Sequence, residues 1–492
     1  MNRRQLLQLS FGAAAASLLS ACAAGSTAKP NAAPTSATGA QPTAPAAQAQ
    51  PTAAAAGAQP TVATAGAQPT LAGAGAQPTA AAQANQAAPA ATGQKVSIEY
   101  WQYFYQSKQD LVNTLIQDFQ KQNPTIEIVH NSTIPYEQYQ QKLAAAAPAG
   151  QGPDVVNLYY GWLAKYTQSG YLVELPSGAF PAATLEKDFF PVVQGARLQG
   201  KYWGVPTAVR TLALFYNKDL LAAGGVDPNK PPTTWEEFVD VALKTTKRGA
   251  DGKLDTAGFA WGPDGQGHQW WREALNRQNG EPPMSDDLKT LNWTDPRAVE
   301  AFTWWTDLVT KHKVGEPGFY TDDQTSFKTG HAALHIDGSF RLSTFAADAP
   351  TLNYAVAPLP AHKDKATYSS FWVNCITKRA TGPRLEAATK WLQYLTTPEV
   401  MRQWVEKVGE LPARQGVAKE DKYAKDPKLG PFLQSLDYGY ATFFVDEAAD
   451  RQAVLDAVNE VILNGTPPDQ AVKGAADKVQ AMLDEYWAST KA

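Results

Sequence analysis

The sequence predicts an α/β fold with a mostly parallel sheet for residues 95–492. Three observations support this class. Segments with strand patterns alternate with segments of helical spacing in the first part of this region, the second part repeats the alternation, and the region is long enough for two lobes with cores of their own. Strands that alternate with helices form βαβ units, whose parallel strands are buried on both faces.

The first elements follow from the spacing of apolar side chains. Residues 95–101 alternate apolar and polar side chains, which predicts a strand. Residues 108–122 place apolar side chains at helical spacing, and Asn123-Pro124 ends that helix. The next strand, helix and strand are predicted at 125–129, 136–146 and 154–158.

The second part contains a helix-start pattern. Thr234 is the predicted N-cap, and Glu237 stands three positions later, as in a capping box. Strands are predicted at 211–216, 332–336, 354–357 and 371–377. Further helices are predicted at 268–278, 296–311, 383–395, 398–408, 451–463 and 468–486.

The N-terminus predicts export. Arg3 and Arg4 precede an apolar run that is too short to span a bilayer, so residues 1–21 are predicted to be a signal peptide. The run ends in Leu19-Ser20-Ala21-Cys22, which resembles the lipobox of bacterial lipoproteins. That resemblance implies acylation of Cys22 and a stable lipid anchor. The paired arginines also partly resemble a twin-arginine signal, so the general secretory route and the twin-arginine route both stay open.

Residues 22–94 are predicted to be a disordered linker between the anchor and the folded domain. They consist almost entirely of Ala, Pro, Thr, Gln, Gly and Ser, and the unit Gly-Ala-Gln-Pro-Thr recurs from Gly57, Gly66 and Gly75. Such a composition cannot bury enough apolar surface to offset the entropy of the chain.

Composition and charge narrow the classes of partner. The chain has a formal net charge of −4 and no basic run, which argues against nucleic acid. Only Cys375 remains besides Cys22, so no disulfide is expected within the folded domain. We find no second segment with the hydropathy of a membrane span, so the lipid is the only membrane contact that the sequence predicts.

Residues 95–492 contain an ordered series of motifs. They are Gly152-Pro153-Asp154-Val155-Val156, Gly170-Tyr171-Leu172-Val173-Glu174-Leu175, Lys201-Tyr202-Trp203-Gly204-Val205-Pro206, Phe215-Tyr216-Asn217-Lys218-Asp219-Leu220, Thr233-Thr234-Trp235-Glu236-Glu237-Phe238, Phe327-Lys328-Thr329-Gly330-His331-Ala332-Ala333-Leu334, Ile336-Asp337-Gly338-Ser339, Pro358-Leu359-Pro360 and Gly409-Glu410-Leu411-Pro412-Ala413-Arg414. Together and in this order, the motifs resemble the extracellular solute-binding proteins of bacterial ABC sugar importers, a family related to maltose-binding proteins.

This resemblance implies a two-lobed periplasmic-binding-protein fold of type II, with a ligand cleft between the lobes. Lobe 1 would hold residues 95–207 and 335–395, and lobe 2 residues 208–334 and 396–492. It also implies a monomeric receptor without a cofactor, which captures a sugar or oligosaccharide and delivers it to permease subunits on the outer side of a bacterial membrane.

Aromatic residues at strand ends support a sugar ligand independently of the family. In sheets with parallel strands, ligands bind beyond the carboxyl ends of the strands, and residues 101–105 and 159–162 are rich in Trp and Tyr there. Sugars offer flat C–H faces ringed by hydroxyls, which suit aromatic rings together with polar groups. The candidate ligand-binding residues are Trp101, Tyr105, Tyr159, Tyr160, Trp162, Arg210, Trp261, Trp270, Asp337, Gly338, Ser339 and Trp372.

Further residues divide between the site and the core. The wider candidate set adds Tyr103, Asp264, Gln269, Trp271 and Arg272. Tryptophans inside helical patterns are assigned to the core, namely Trp235, Trp304, Trp305, Trp391 and Trp404. The segment 337–339 has two open interpretations: it offers backbone N–H groups and a hydroxyl to a ligand, or it is a structural turn.

Two alternatives to a transport receptor are a glycan-active surface enzyme and a lipoprotein that captures polysaccharide without transport. A glycosidase needs two carboxylates that flank the scissile bond, and the sequence pairs none. It has no nucleophile elbow, phosphate loop or dinucleotide motif. His331 and His335 are four positions apart, but the pattern of this segment predicts a strand and not a helix. No metal site is therefore predicted.

Overall fold

A computed structural model describes residues 95–147, 151–262 and 265–490, except for the side chain of Glu137. The predicted signal peptide at 1–21, Cys22 and the predicted linker at 22–94 lie outside the described residues. Within the described part, no helix has both the length and the apolar character needed to cross a bilayer.

The described strands range from two to 13 residues. They are β1 (Val96–Tyr103), β2 (Ile126–Ile134), β3 (Val155–Tyr159), β4 (Arg197–Leu198), β5 (Lys201–Tyr202), β6 (Val205–Asn217), β7 (Lys247–Arg248), β8 (Leu254–Phe259), β9 (Ala332–Gly338), β10 (Tyr354–Ala357), β11 (Thr367–Ile376), β12 (Leu411–Pro412) and β13 (Gly439–Tyr440).

The helices confirm most of the predicted segments. They are α1 (Gln106–Gln122), α2 (Tyr136–Ala146), α3 (Leu163–Gln168), α4 (Ala182–Asp188), α5 (Lys218–Ala223), α6 (Trp235–Thr245), α7 (Gly265–Gln278), α8 (Pro296–Thr310), α9 (Asp323–Lys328), α10 (Arg341–Asp348), α11 (Pro383–Leu395), α12 (Pro398–Val408), α13 (Gln415–Ala418), α14 (Asp421–Ala424), α15 (Gly430–Ser435), α16 (Glu447–Asn464) and α17 (Pro468–Ser489).

The main sheet follows the order β2-β1-β3-β11-β6-β9-β8-β7. Strand β1 pairs in parallel with β2 and β3, as predicted, and β8 pairs in parallel with β9. The expectation of a mostly parallel sheet is wrong at the centre, because β11 runs antiparallel to both β3 and β6, and β6 runs antiparallel to β9.

The two longest strands explain that difference. Strand β6 spans 13 residues and β11 spans 10, and nearly every residue in them is buried. They link the β1–β3 group of strands to the β8–β10 group. A chain that crosses between two groups and later returns places its crossing strands in opposite directions. The result is a mixed α/β sheet shared by two lobes, and the α/β two-lobed class predicted from the sequence is confirmed.

Local capping follows the sequence pattern at α6. The Thr234 hydroxyl accepts a hydrogen bond from the Glu237 N–H at 3.2 Å, which confirms Thr234 as the N-cap. The Glu237 carboxylate accepts from the Thr233 N–H at 2.7 Å, one residue earlier than the usual capping box, and these bonds lower its pKa.

Large aromatic side chains fill the core of the second group. Phe215 of β6 is fully buried and packs against other rings. Among the tryptophans assigned to the core, Trp235, Trp305, Trp391 and Trp404 are buried, whereas Trp304 is half-buried and stacks on Trp235 with ring centroids 4.5 Å apart. Cys375 of β11 is a buried free thiol.

The lobe boundaries predicted from the sequence remain a prediction. That prediction places everything after residue 395, and so helix α12, in lobe 2. In the structure α12 packs against α1 and β12, on the side of the first strand group. The C-terminal helices α16 and α17 pack on each other and on α7 and α8.

Candidate functional site

A cleft of about 480 Å³ opens where β1 and β3 end and faces α7, α9 and the end of β9. Its position fits the rule that ligands bind beyond the carboxyl ends of parallel strands. Side chains from both strand groups line it. The described lining residues are Tyr103, Phe104, Tyr105, Tyr136, Tyr159, Arg210, Gly262, Gln266, Gly267, Trp270, Asp323, Gln324, Ile336, Asp337, Phe340, Arg341 and Trp372.

One wall of the cleft is aromatic. Tyr103 and Trp372 lie against each other with ring centroids 4.3 Å apart and planes 37° apart. Tyr136 meets Tyr103 edge-on at 5.5 Å, and Tyr159 lies 6.0 Å from Trp372. Such offset and edge-on pairs are the favoured geometries for aromatic rings, so they hold one another in place.

Two irregularities in strand pairing position the central rings of this wall. The register between β1 and β2 shifts between Trp101 and Tyr103, and the register between β11 and β6 shifts between Phe371 and Val373. Bulges of this kind re-aim side chains beside binding sites. Tyr103 and Trp372, which stand at the two shifts, are the rings that lie against each other in the cleft.

A buried charge network supports the aromatic wall from behind. The Glu410 carboxylate accepts from Arg210 Nε at 2.5 Å, from Lys108 Nζ at 2.9 Å and from Trp404 Nε1 at 2.8 Å. Both Arg210 and Lys108 also donate to the Tyr103 hydroxyl, at 3.2 and 3.1 Å. The network therefore fixes the Tyr103 ring and the Arg210 guanidinium that borders the cleft.

The pKa of Glu410 reflects these partners. Burial alone would raise the pKa of this carboxyl, but Arg210 and Lys108 outweigh burial and lower it from 4.5 to about 2. Glu410 is therefore ionised at neutral pH, and Arg210 has a full counter-charge.

The opposite wall is mainly polar. Asp337 at the end of β9 accepts from Arg341 Nε at 2.5 Å and from the Gly338 N–H at 2.6 Å. Burial would raise the pKa of Asp337, but Arg341 and His335 lower it well below its usual value. The guanidinium groups of Arg210 and Arg341 lie over the Phe340 ring, at 4.9 and 4.8 Å from its centroid.

Half of the predicted ligand-binding residues line the cleft. Their distribution follows the two walls, with four aromatic and two charged side chains. They are Tyr105, Tyr159, Trp372, Trp270, Arg210 and Asp337. Trp270 also stacks on Tyr368, with ring centroids 5.6 Å apart.

Three predicted aromatics near the strand ends are packed away from the described lining. Trp101 precedes the register shift, and its Nε1 donates to Glu99 Oε1 at 2.5 Å. Tyr160 stacks on Phe371, with ring centroids 4.8 Å apart. Trp162 is buried, with its Nε1 3.4 Å from Glu447 Oε2. The short 3₁₀ turn at Tyr160–Trp162 directs the latter two into the core.

The remaining three predicted residues are also absent from the described lining. Trp261 is buried against Trp305, with centroids 4.6 Å apart. Gly338 lies against the Phe340 ring, and the Ser339 hydroxyl is buried without a hydrogen-bond partner among the described residues. The segment 337–339 thus contributes its Asp337 side chain to the cleft.

The wider candidates divide in the same way. Tyr103 lines the cleft, Asp264 lies outside the described residues, and Trp271 packs on Phe259. Gln269 and Arg272 are buried beside Asp450, to which Gln269 donates at 2.5 Å. Burial raises the pKa of Asp450 more than Arg272 and Gln269 lower it.

Sequence analysis missed several lining residues. Tyr136 opens α2 directly after Pro135, and its place opposite Tyr103 depends on tertiary packing. Phe340 and Arg341 follow the 337–339 motif by one and two positions, and this proximity to a predicted site could have identified them from the sequence. Phe104, Asp323 and Gln324 also line the cleft.

Comparison with known proteins identifies a family. The model of the family described as "Bacterial extracellular solute-binding protein" matches residues 114–431, which is more than half of the chain. The matched segment includes most of the cleft-lining residues.

Two curated relatives cover most of the chain. A maltotriose-binding protein of Pyrococcus abyssi is 25% identical over 349 residues, covering 69% of this chain and 71% of the relative. An sn-glycerol-3-phosphate-binding periplasmic protein of Escherichia coli is 25% identical over 441 residues, covering 82% of this chain and 96% of the relative.

A solved structure shows the same fold. The cyclic α-maltosyl-1,6-maltose binding protein of Arthrobacter globiformis superposes with a TM-score of 0.69 at 22% identity, covering 80% of this chain and all of that one (100%).

Proposed function

Because the chain belongs to the bacterial extracellular solute-binding proteins, we propose that it is the substrate-binding protein of an ABC importer. It would capture a sugar or oligosaccharide in the cleft and deliver it to the permease. The observation that carries this proposal is the cleft itself, in which an aromatic wall faces a wall of carboxylates, amide and guanidinium groups.

The two walls match the two kinds of surface on a sugar. Rings such as Tyr103, Trp372 and Trp270 offer flat apolar faces for C–H groups. Asp323, Asp337 and Gln324 offer acceptors and donors for hydroxyls. A cleft of about 480 Å³ is large enough for a disaccharide or longer ligand.

The charges in the cleft favour a neutral ligand. Both arginines of the described lining already have carboxylate partners, Arg210 with Glu410 and Arg341 with Asp337. Phosphate recognition draws on cations that donate charge-assisted hydrogen bonds to the ligand. We therefore favour a neutral sugar over a phosphorylated ligand such as that of the E. coli relative.

Closure of the lobes would signal the loaded state. A ligand that contacts both walls stabilises the closed form through its greater affinity for that form. The lipid on Cys22, which the lipobox supports, would keep the receptor on the outer side of the membrane next to the permease, with residues 22–94 as the tether.

The enzyme alternative receives less support from the site. The acidic residues of the described lining are Asp323 and Asp337, and both lie on one wall with His335 between them. Glycosidases place two carboxyl groups on either side of the scissile bond. A non-transport role in capturing polysaccharide would use the same cleft, and only uptake measurements separate it from a transport role.

A calorimetric and thermal-shift panel tests the ligand class. The full chain would be titrated with maltose, maltotriose, cyclic maltodextrins, other oligosaccharides and sn-glycerol-3-phosphate. A sugar at 100 times its dissociation constant should raise the free energy of unfolding by about 2.7 kcal/mol. Binding of the phosphate compound but of no sugar would overturn the proposal. Product formation from any glycan would favour the enzyme alternative.

A further inference from the structure

A fully buried histidine stands between two carboxylates on the polar wall of the cleft. His335 Nδ1 is 3.6 Å from Asp323 Oδ2, and His335 Nε2 is 3.6 Å from Asp337 Oδ2. Both separations exceed hydrogen-bond distance. Neither ring nitrogen has a hydrogen-bond partner among the described residues, although the side chain is 0% exposed.

The surroundings hold the imidazole ring in this orientation. It stacks on Phe327, with centroids 5.4 Å apart and planes 28° apart, and it also packs against Phe215 and Phe345. A buried polar group without a hydrogen bond destabilises the folded state, and buried polar groups in proteins almost always have a partner. The ring is aimed at the two carboxylates on either side of it.

We propose that Asp323, His335 and Asp337 form a binding site for a divalent transition-metal ion, Zn²⁺ or Mn²⁺. One potential ligand atom from each residue lies within 4.8 Å of the other two. Ligands about 2.0–2.2 Å from one ion are roughly 3–4 Å apart, so small side-chain movements would bring the three together. One imidazole nitrogen with two carboxylate oxygens suits these ions.

The site is open to solvent on one side. Asp323 and Asp337 line the cleft, and the side chain of Asp323 is 20% exposed. An ion therefore has a path of entry, and its remaining coordination positions face the cavity. Water would fill them in the absence of ligand. If the proposed function is right, sugar hydroxyls would replace that water opposite the aromatic wall.

Arg341 competes for the same carboxylate. Its Nε donates to Asp337 Oδ2, the oxygen that faces His335 Nε2. An ion at the site would displace this guanidinium, which borders the cavity and has room to move into it. The proposal thus predicts that removing the Arg341 charge strengthens metal binding, which a surface site elsewhere would not show.

Metal binding is tested without any sugar. The full chain, stripped with a chelator, would be titrated calorimetrically with ZnCl₂ and with MnCl₂, and bound Mn²⁺ would be followed by electron paramagnetic resonance. We expect one Mn²⁺ per chain. Asp323→Asn should weaken binding at least about 10-fold, the lower range for loss of an outer-shell partner, and Arg341→Gln should strengthen it several-fold.

Matched variants distinguish the outcomes. Asp348→Asn removes a carboxylate with 48% side-chain exposure outside the cluster and should leave metal binding unchanged. His335→Gln should abolish binding, and circular dichroism checks that this variant folds. If His335→Gln does not fold, Asp323→Asn provides the test. Absence of stoichiometric binding, or equal affinity in Asp323→Asn and Asp348→Asn, would overturn the proposal. Sugar binding could still persist, so the two proposals fail separately.

Discussion

Glu410 holds together charges that come from distant parts of the sequence. Lys108 of α1, Arg210 of β6 and Trp404 of α12 all donate to its carboxylate, which is only 4% exposed. A buried ion group of this kind stabilises little compared with an apolar core, but loss of one member leaves the others uncompensated.

Glu410→Gln should therefore lower the free energy of unfolding by about 3–5 kcal/mol, because Lys108 and Arg210 lose their counter-charge. Urea unfolding of the full chain measures this. Glu174→Gln is the control, since Glu174 is 44% exposed and pairs with Lys201 on the surface. That change should cost less than about 1 kcal/mol. Equal losses in the two variants would contradict the role assigned to Glu410.

Glu410 also makes the stability of the fold depend on pH. The pKa of Glu410 is lowered on folding, from 4.5 to about 2. Its contribution is therefore fully present above pH 4.5 and is lost as the pH falls toward 2. We expect the wild type to lose stability more steeply than Glu410→Gln between these values, as measured by urea unfolding at a series of pH values.

Phe104 offers a direct probe of the cleft, because its ring lines the cavity yet is 45% exposed. Phe104→Ala should weaken sugar binding by about 10-fold, or 1.4 kcal/mol, with little change in stability. Tyr440→Ala is the matched control, since Tyr440 is also 45% exposed and lies outside the described lining of the cleft. Titration calorimetry measures the sugar affinity of both variants. Equal affinities in the two variants would show that the sugar binds outside this cleft.

Individual site residues were predictable only in part. The strand-end rule predicted Tyr105 and Tyr159, which line the cleft, because a strand's end follows from local pattern. The same rule failed to separate them from Tyr160 and Trp162, since a 3₁₀ turn buries those two and local spacing does not reveal it. The proposed metal cluster joins Asp323 of α9 to His335 and Asp337 of β9, and spacing along the chain does not reveal that Asp323 packs beside that strand.

At the scale of elements, close packing of α6 on β8 depends on one glycine. A Cβ at Gly258 would overlap the Ala242 carbonyl of α6. Gly258→Ala should cost at least about 1–3 kcal/mol of unfolding free energy, the usual range for overpacking. Gly474→Ala in α17 is the control, because no atom lies within 4 Å of its added Cβ. That change should stabilise by up to about 1 kcal/mol, and thermal unfolding compares the two.

Elements with strong local periodicity were predictable. Helix α2 has the predicted bounds, and α1 ends at Gln122 before Asn123-Pro124 as expected. The antiparallel pairing of β6 and β11 was not predictable, because their register joins residues more than 150 positions apart. Hydrophobic runs report that a strand is buried, but they do not report its direction.

At the scale of the whole molecule, the proposed placement at the membrane rests on Cys22. Cys22→Ser should move the chain from the membrane fraction to the medium or periplasm, because acylation of that thiol is the predicted anchor. Fractionation followed by immunoblotting measures this. Cys375→Ala is the control and should leave the chain with the membrane. A Cys22→Ser chain that stays membrane-bound would contradict the lipoprotein assignment.

The burial of Cys375 has a practical consequence. The thiol lies inside β11, and burial raises its pKa far above the usual range, so little reactive thiolate forms at neutral pH. Once Cys22 is acylated or replaced, a cysteine introduced at the cleft rim, for instance Gln324→Cys, would be the one site that a maleimide dye labels. If the proposed function is right, a fluorophore there would report ligand binding as a change in emission, and the protein would then serve as a scaffold for an optical sensor.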